Sequence, residues 1–364
     1  MKRGVWKTTG ILFLAAGLVS LVAGCSFGPG GTSTSVPGTS GATGKGKGVV
    51  PASVTHTLVP VEPPASASTI KDSTGAALAA QHRVNSGENY AFNLFERPFS
   101  QDMQTYAPYL DIVQADYSKD DTWAYISIRM VGQDQKNGGL PGTYAAELDV
   151  NQDGRGDFLV VVTAPKSTSW SSDGVKVYAD NNHDVGGITP VQSDPPPQGG
   201  DGYERLLVDS GQGKDPDLAY ARISPSNPNT VQLAFKWSMT NSPSFMWGVW
   251  AFDPSMFHPD WFDYNDHFTQ AQAGSPVIEL SQYYPLKGLY LLDNTCRWGS
   301  GFTPSPNVPG SCPQGAAISP GSSGGSASGS TGAPGAGPIQ SVSNGNQPVL
   351  SVATPTLIFG NLKP

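Results

Sequence analysis

The chain has 364 residues and a formal net charge of −8 at pH 7. This acidic balance argues against nucleic acid or an anionic membrane surface as a binding partner. Its 44 glycines and 32 prolines cluster towards the two ends. That leaves about 230 residues for globular structure, enough for one large domain or two small ones.

The N-terminus has the pattern of a secretory signal. Lys2, Arg3 and Lys7 give it a positive start, and residues 11–22 form an apolar run that is short for a transmembrane span. The next segment, Leu-Val-Ala-Gly-Cys, ends at Cys25 and looks like a bacterial lipobox. This resemblance implies lipidation of Cys25, and therefore a chain anchored at the cell membrane or cell surface and facing outside the cytoplasm. The alternative is an ordinary secretory signal with an incidental cysteine.

Composition divides the chain into four parts. Residues 1–25 are the expected lipoprotein signal peptide with its lipobox cysteine. Residues 26–85 are rich in Ser, Thr, Gly and Pro, which predicts a disordered tether. Residues 86–313 carry the aromatic and β-branched residues of a folded domain, and residues 314–364 are expected to form a disordered Gly/Ser-rich tail.

The folded region predicts one strand after another, separated by turns and with hardly any helix. The run Trp123–Met130 alternates apolar and polar residues, as a strand with one buried face does. The other predicted strands cover residues 110–117, 144–148, 158–162, 175–179, 203–208, 217–223, 230–236 and 245–252. No repeat of 20–50 residues is visible, which disfavours a propeller or a solenoid. We therefore expect an all-β fold, an antiparallel β-sandwich with jelly-roll or immunoglobulin-like layers.

A metal-binding pattern lies between two of these strands. In the segment DVNQDGRGD, residues 149–157, oxygen-bearing side chains stand at positions one, three, five and nine, and a glycine stands at position six. Side chains at these positions converge in a tight loop, and hard oxygen ligands favour Ca²⁺. The expected metal residues are Asp149, Asn151, Asp153, Arg155 and Asp157. An EF-hand would require flanking helices and a glutamate at position twelve, where this chain has Val160.

The loop resembles the short calcium loops of integrin-type β-propeller repeats, thrombospondin type 3 repeats and dockerins. The resemblance implies a structural Ca²⁺ ion that closes a β-hairpin. The alternative is an acidic β-turn without a metal. A second acidic turn contains Asp180, Asn182 and Asp184; it is a weaker metal candidate because polar turns of this composition are common.

Two cysteines remain in the expected domain, Cys296 and Cys312. Outside the cytoplasm an isolated pair usually forms a disulfide. In the loop-entropy model such a closure contributes on the order of 3 kcal/mol. The alternative is a reactive nucleophile, but no histidine stands near Cys296 in the sequence to activate it.

The strongest candidate for ligand binding is an aromatic and acidic loop at residues 253–268. Aromatic faces can cover the apolar side of a sugar ring while carboxylates and amides bind its hydroxyls. The expected ligand-binding residues are Trp261, Asp263, Tyr264, Asp266 and, from the preceding strand, Trp250. The alternative is that the aromatic residues close one end of the sandwich and the acids face water.

The order of features over residues 90–252 carries a family resemblance. An aromatic segment with Arg97 and Pro98 precedes an aspartate-rich strand, a D-x-x-W-x-Y-x-x-I strand and the sequence Y-x-x-E-x-D-x-N-x-D-G. This order looks like the extracellular β-sandwich group that includes DOMON domains and family 9 carbohydrate-binding modules. It also looks like bacterial lipoproteins that carry the same hairpin. The resemblance implies binding of sugars or haem, with calcium common among the sugar binders.

The sequence has no HExxH zinc motif, no P-loop and no dinucleotide-binding fingerprint. We therefore predict a lipid-anchored cell-surface protein that binds rather than catalyses, with structural Ca²⁺ and a polysaccharide or surface glycan as partner. The main alternative is a structural or adhesive envelope lipoprotein without a small ligand. A polysaccharide hydrolase is a further alternative, because such enzymes need a pair of carboxylates and acidic residues are plentiful.

Overall fold

The computed structural model describes residues 54–83, 88–183, 185, 202–265, 267–274, 286–313 and 317–318. The expected signal peptide with Cys25, and nearly all of the expected tail at 314–364, lie outside these residues. Asp184 and Asp266 also lie outside them. None of the helices in the described part of the chain combines the length and the apolar character that a membrane span requires.

The described residues form two large antiparallel β-sheets with very little helix, which confirms the predicted all-β sandwich. The strands, numbered along the chain, are β1 Ser68–Lys71, β2 Glu96–Arg97, β3 Ile112–Lys119, β4 Trp123–Met130, β5 Thr143–Asp149, β6 Phe158–Thr163, β7 Val175–Ala179, β8 Arg205–Asp209, β9 Gln212–Gly213, β10 Ala219–Ile223, β11 Thr230–Lys236, β12 Met246–Phe252, β13 Leu292–Asn294, β14 Trp298–Gly299 and β15 Ala317–Ile318. The helical segments are the 3-10 turns Ala76–Gln81, Tyr90–Phe92, Trp237–Met239, Pro254–Met256 and Pro259–Trp261, and the single α-helical turn α1 Gln270–Ala273.

The first sheet has the strand order β10-β11-β4-β3-β1-β15. The second sheet has the order β2-β13-β12-β5-β6-β7-β8-β9, and β14 also pairs with β12. Strands β5 and β6 pair directly, with Leu148 opposite Phe158, which confirms the predicted hairpin around residues 149–157.

The main hydrophobic core lies between the sheets. Ile126 and Ile128 of the first sheet belong to the same buried cluster as Leu148, Val160 and Trp247 of the second. These side chains alternate along their strands with residues that face the other way, as the pleat of a strand requires. The alternation seen in the sequence of β4 therefore marks the face that is buried between the layers.

The outer face of the second sheet is also buried around β12. Trp250 and Phe252 of β12 lie in a second hydrophobic cluster, and Phe262 and Tyr264 from the 253–268 loop pack on them. Every residue of β12 is buried. A strand that has aromatic side chains on both faces must have both faces covered, because exposing either one would leave a large apolar surface in water.

The structure corrects the expected limits of the domain. β1 lies inside the expected tether of residues 26–85, yet it pairs with β3 on one side and β15 on the other. Strand β15 lies beyond residue 313, the expected end of the domain. The composition of residues 26–85 gave no sign of β1, since Ile70 is its single apolar residue. Pairing with the neighbouring strands supplies the rest of its stabilisation.

Candidate functional site

The 149–157 loop connects β5 to β6 and is held by its own backbone. The carboxylate of Asp149 accepts hydrogen bonds from the N–H groups of Gln152 (2.5 Å) and Gly154 (2.8 Å). The carboxylate of Asp157 accepts from the N–H groups of Val150 (2.6 Å) and Asn151 (3.2 Å). The first and last aspartates therefore fix the shape of the loop from inside, as aspartates commonly do in turns.

The two middle side chains of the pattern are on the surface. Asn151 accepts a hydrogen bond from the N–H of Asp153 (3.0 Å), and Asp153 accepts one from the N–H of Arg155 (2.9 Å). Gly154 has a φ of +91°, and a Cβ at this position would lie 2.8 Å from Cδ of Pro309. The glycine at position six is therefore required both by the turn and by a close neighbour.

The loop can hold a cation only if its exposed side chains turn inward. Among the described residues, the ligand atoms of Asp149, Asp153 and Asp157 do not all lie within 4.8 Å of one another. Arg155 could offer only its backbone carbonyl, because its guanidinium is itself a cation; one guanidinium nitrogen donates to the carbonyl of His183 (3.2 Å). The loop thus has two buried carboxylates and two exposed oxygen-bearing side chains.

The second acidic turn lies beside the first. The N–H of Asp180 donates to the carbonyl of Asp157 (3.0 Å), and Nδ1 of His183 lies 3.4 Å from Oδ1 of Asp157. However, both carboxylate oxygens of Asp180 accept backbone N–H groups, from Asn182, His183 and Val185. Burial raises the pKa of Asp180 while these hydrogen bonds lower it. The carboxylate of Asp180 thus binds the backbone of its own turn, and Asp184 lies outside the described residues.

A buried ionic network underlies the first loop. The guanidinium of Arg297 donates to the carbonyl of Gly154 (2.9 Å), to Glu147 (2.9 Å) and to Asp263 (3.2 Å). All three charged side chains are almost completely buried. Burial lowers the pKa of Arg297, but the carboxylates of Glu147 and Asp263 outweigh it and raise this pKa above its usual value. The guanidinium of Arg297 therefore binds two carboxylates and the loop backbone.

Asp149 is buried beside this network. Burial raises the pKa of Asp149 to about 7, against the lowering effects of Arg297 and the Gly154 N–H. Glu147 is further held by the indole N–H of Trp250 (2.8 Å) and the hydroxyl of Tyr203 (3.3 Å). The buried carboxylates of Asp149, Glu147 and Asp263 outnumber the single guanidinium of Arg297 beneath the loop.

Of the residues that the sequence assigned to ligand binding, the four that the structure describes do not share a surface. Trp250, Asp263 and Tyr264 are each no more than 1 % exposed, whereas Trp261 is 40 % exposed. Trp250 and Asp263 belong to the buried network, and the Tyr264 hydroxyl donates to the carbonyl of Met256. The expected sugar surface is corrected accordingly: the loop carries its aromatic residues into the outer face of the second sheet, where apolar burial outweighs exposure.

The predicted disulfide between Cys296 and Cys312 is confirmed, with a Cα–Cα distance of 4.9 Å. Between the two cysteines, the N–H of Arg297 donates to the carbonyl of Gly310 (2.8 Å), and the N–H of Cys312 donates to the carbonyl of Arg297 (2.9 Å). The disulfide segment therefore holds Arg297 under the 149–157 loop and brings Pro309 against Gly154.

Sequence reasoning missed Glu147 and Arg297, which are the centre of this network. Both gave weak signals: Glu147 is an acid inside a strand that is otherwise apolar, and Arg297 follows a cysteine directly. Neither signal identifies a partner, because the two residues are 150 positions apart and only the fold brings them together.

A separate surface pocket of about 540 Å³ lies at Trp237. It is lined by Lys119, Asp120, Asp121, Trp237, Ser238, Asn241, Ser242 and Pro243. The indole N–H of Trp237 donates to the carbonyl of Asp120 (3.0 Å), and Nζ of Lys119 lies 4.9 Å from the centre of its ring. The indole is thereby fixed in orientation and half-buried, with carboxylate, amide and hydroxyl groups around it.

Comparison with protein-family models, with curated proteins and with solved structures finds no match to this chain.

Proposed function

We propose that the chain is a lipid-anchored protein outside the cytoplasm, and that its β-sandwich is a calcium-stabilised, non-catalytic structural or adhesive module. The observation that supports this most directly is the contact between the 149–157 loop and the segment closed by the Cys296–Cys312 disulfide. Disulfides persist in oxidising compartments, and calcium sites of modest affinity suit extracellular modules. The burial of Asp263 and Tyr264 favours this role over sugar binding by the 253–268 loop.

The proposed calcium ligands divide into two pairs. Asp149 and Asp157 are already fixed by the loop amides. Both oxygens of Asp149 and Oδ1 of Asp157 keep a lone pair for a cation, whereas Oδ2 of Asp157 already accepts two N–H groups. Asn151 and Asp153 are exposed and supply the other two side-chain ligands. An ion that binds the folded state stabilises it by mass action, and here it would also offset the excess negative charge above Arg297.

Substitution Asp153→Asn tests this calcium site. Asparagine keeps the oxygen that accepts the N–H of Arg155 but removes one ligand charge. We expect the wild-type Tm to rise with CaCl₂ and fall with EDTA. We expect Asp153→Asn to weaken calcium binding by roughly tenfold, which lowers the calcium-dependent stabilisation by about 1.4 kcal/mol.

The matched control is Asp173→Asn, which removes an exposed charge from the loop before β7. It should respond to calcium as the wild type does. A wild-type Tm that is insensitive to EDTA would contradict the proposal. An equal calcium response of Asp153→Asn and the wild type would show that the ion is bound elsewhere.

A second candidate function, carbohydrate binding, is favoured by the Trp237 pocket. A partly exposed, oriented indole with Asp121, Asn241 and Ser242 beside it has the mixture of an apolar face and polar partners that sugar sites use. The side chain of Lys119 would have to leave the indole face to admit a sugar ring. This candidate keeps carbohydrate as the ligand expected from the sequence, but it assigns binding to the Trp237 pocket instead of the 253–268 loop.

Affinity electrophoresis through gels containing soluble polysaccharides tests this second candidate. We expect at least one polysaccharide to retard the wild type. Trp237→Ala and Asn241→Ala should each weaken that binding by tenfold or more, a loss of at least about 1.4 kcal/mol. Trp261→Ala is the matched control, since it removes an exposed tryptophan from the 253–268 loop. Retardation that survives both pocket substitutions, or a wild type that no polysaccharide retards, would rule out this pocket as a sugar site.

A further inference from the structure

A cluster of carboxylates is buried between the two sheets, away from the 149–157 loop. One carboxylate oxygen from each of Asp72, Glu96 and Asp293 lies within 4.8 Å of the others. Glu96 is 2 % exposed and Asp293 is fully buried. The three residues are far apart in sequence, and no sequence motif links them. They come together because β1 of the first sheet ends beside β2 and β13 of the second.

Most of the oxygens in this cluster lack a hydrogen-bond partner. Both oxygens of Glu96, Oδ2 of Asp72 and Oδ1 of Asp293 are buried and accept no hydrogen bond. A fourth buried carboxylate, Asp111, contributes a further unpartnered oxygen, Oδ1. Buried carboxylate oxygens without partners are costly, so each one calls for a bound group that satisfies it.

Glu96 and Asp293 also lie directly opposite each other in the second sheet. Glu96 of β2 is the cross-strand partner of Asp293 in β13, and Asp293 is the partner of Ala251 in β12. Ala251 belongs to the core between the sheets, and direct cross-strand partners share a face, so both carboxylates are directed towards the first sheet. Like charges in this arrangement repel each other.

No basic side chain in the described part of the chain neutralises the cluster. None of the ion pairs recorded there includes Asp72, Glu96, Asp111 or Asp293. Arg97, the neighbour of Glu96, is bound instead to Glu88. The ionised form of this cluster therefore requires a cation from solution.

We propose that Asp72, Glu96 and Asp293 bind a divalent cation of the Ca²⁺ class, and that this ion joins the two sheets. The donor atoms are carboxylate oxygens only, which suit hard cations and not Zn²⁺ or Cu²⁺. Ca²⁺ binds oxygens at about 2.3–2.6 Å, so oxygens on opposite sides of one ion lie about 4.6–5.2 Å apart. The separation of at most 4.8 Å within the cluster matches that span. Asp111 is placed to supply a further oxygen or to accept a hydrogen bond from a bound water.

The site sits where the two sheets are already connected. The N–H of Ile112, at the start of β3 in the first sheet, donates to Asp293 Oδ2 of the second sheet (2.6 Å). The N–H of Gly75 donates to Asp111 (2.9 Å), and a Cβ on Gly75 would lie 3.4 Å from a carboxylate oxygen of Glu96. The ion would therefore fix the segment that follows β1 against both sheets.

Substitution Glu96→Gln tests the site, because it preserves the shape of the side chain and removes one ligand charge. The full chain is treated with a chelator and then titrated with CaCl₂ in a calorimeter. Compared with the wild type, Glu96→Gln should show one calcium-binding event fewer, or should bind calcium at this site at least tenfold more weakly. Asp153→Asn should remove a different event, so the two variants separate this site from the 149–157 loop. Glu62→Gln is the matched control, because Glu62 is exposed.

A second measurement keeps the proposal testable if Glu96→Gln does not fold. Hydrogen–deuterium exchange of the wild type should show that calcium increases the protection of residues 68–83 by tenfold or more, and a crystal grown with CaCl₂ should show an anomalous-scattering peak between Asp72, Glu96 and Asp293. Absence of that peak overturns the proposal. The proposal is also overturned if Glu96→Gln is more stable than the wild type by the same amount with calcium and with chelator. In that case protons, and not a metal ion, would neutralise the wild-type cluster.

Discussion

At the scale of single residues, Arg297 stands out because it satisfies groups from three parts of the chain. Its guanidinium donates hydrogen bonds to Gly154 in the 149–157 loop, Glu147 in β5 and Asp263 in the 253–268 loop. Breaking a buried ion pair is costly because it leaves an uncompensated charge behind, and here two carboxylates would be left. The residue is thus a structural support for the loop and for the covering segment together.

Replacing Arg297 should therefore destabilise the whole domain. We expect Arg297→Met to lower the free energy of unfolding by about 3–5 kcal/mol, the range for removing one partner of a buried ion pair. Arg155→Met is the control: its guanidinium makes one hydrogen bond at the surface, and its loss should cost under about 1 kcal/mol. Urea denaturation of the wild type and both variants checks this, and similar losses for the two variants would contradict the role assigned to Arg297.

At the scale of elements, β12 and the 253–268 loop form one unit. Phe262 packs against Trp250 with ring centres 4.8 Å apart and against Tyr203 at 5.2 Å. Its neighbour Trp261 instead stacks on His258 at 4.3 Å and remains 40 % exposed. Two adjacent aromatic residues therefore have opposite roles: one covers the outer face of the sheet and the other lies on the surface.

Alanine substitutions at these two positions should differ in their cost. Phe262→Ala should reduce the free energy of unfolding by about 3–5 kcal/mol, because it opens a cavity in a packed aromatic cluster. Trp261→Ala should cost about 1 kcal/mol or less, as expected for an exposed side chain. Chemical denaturation with tryptophan fluorescence and circular dichroism measures both. If Trp261→Ala proved the more destabilising of the two, the loop would not cover the sheet as described.

At the scale of the whole molecule, the two candidate cation sites lie towards opposite ends of β12. Asp149, at the start of the 149–157 loop, lies opposite Met246 at the start of β12. Asp293 of the buried cluster lies opposite Ala251 near the end of β12. The disulfide fastens the first end. Cations at both ends would supplement hydrophobic burial with electrostatic links, so we expect the stability of the domain to depend on the calcium concentration around it.

The sequence by itself determined the all-β class, the hairpin around residues 149–157 and the disulfide, because these depend on local patterns: alternation, turn residues and an isolated cysteine pair. The runs at β4, β7 and β11 were predicted with the limits that the structure shows. Only the tertiary structure decided that β1 belongs to the sheet, that Trp250 and Asp263 are buried, and that Asp72, Glu96 and Asp293 meet. Each of these depends on contacts between residues distant in sequence, and such contacts leave no periodicity in the chain.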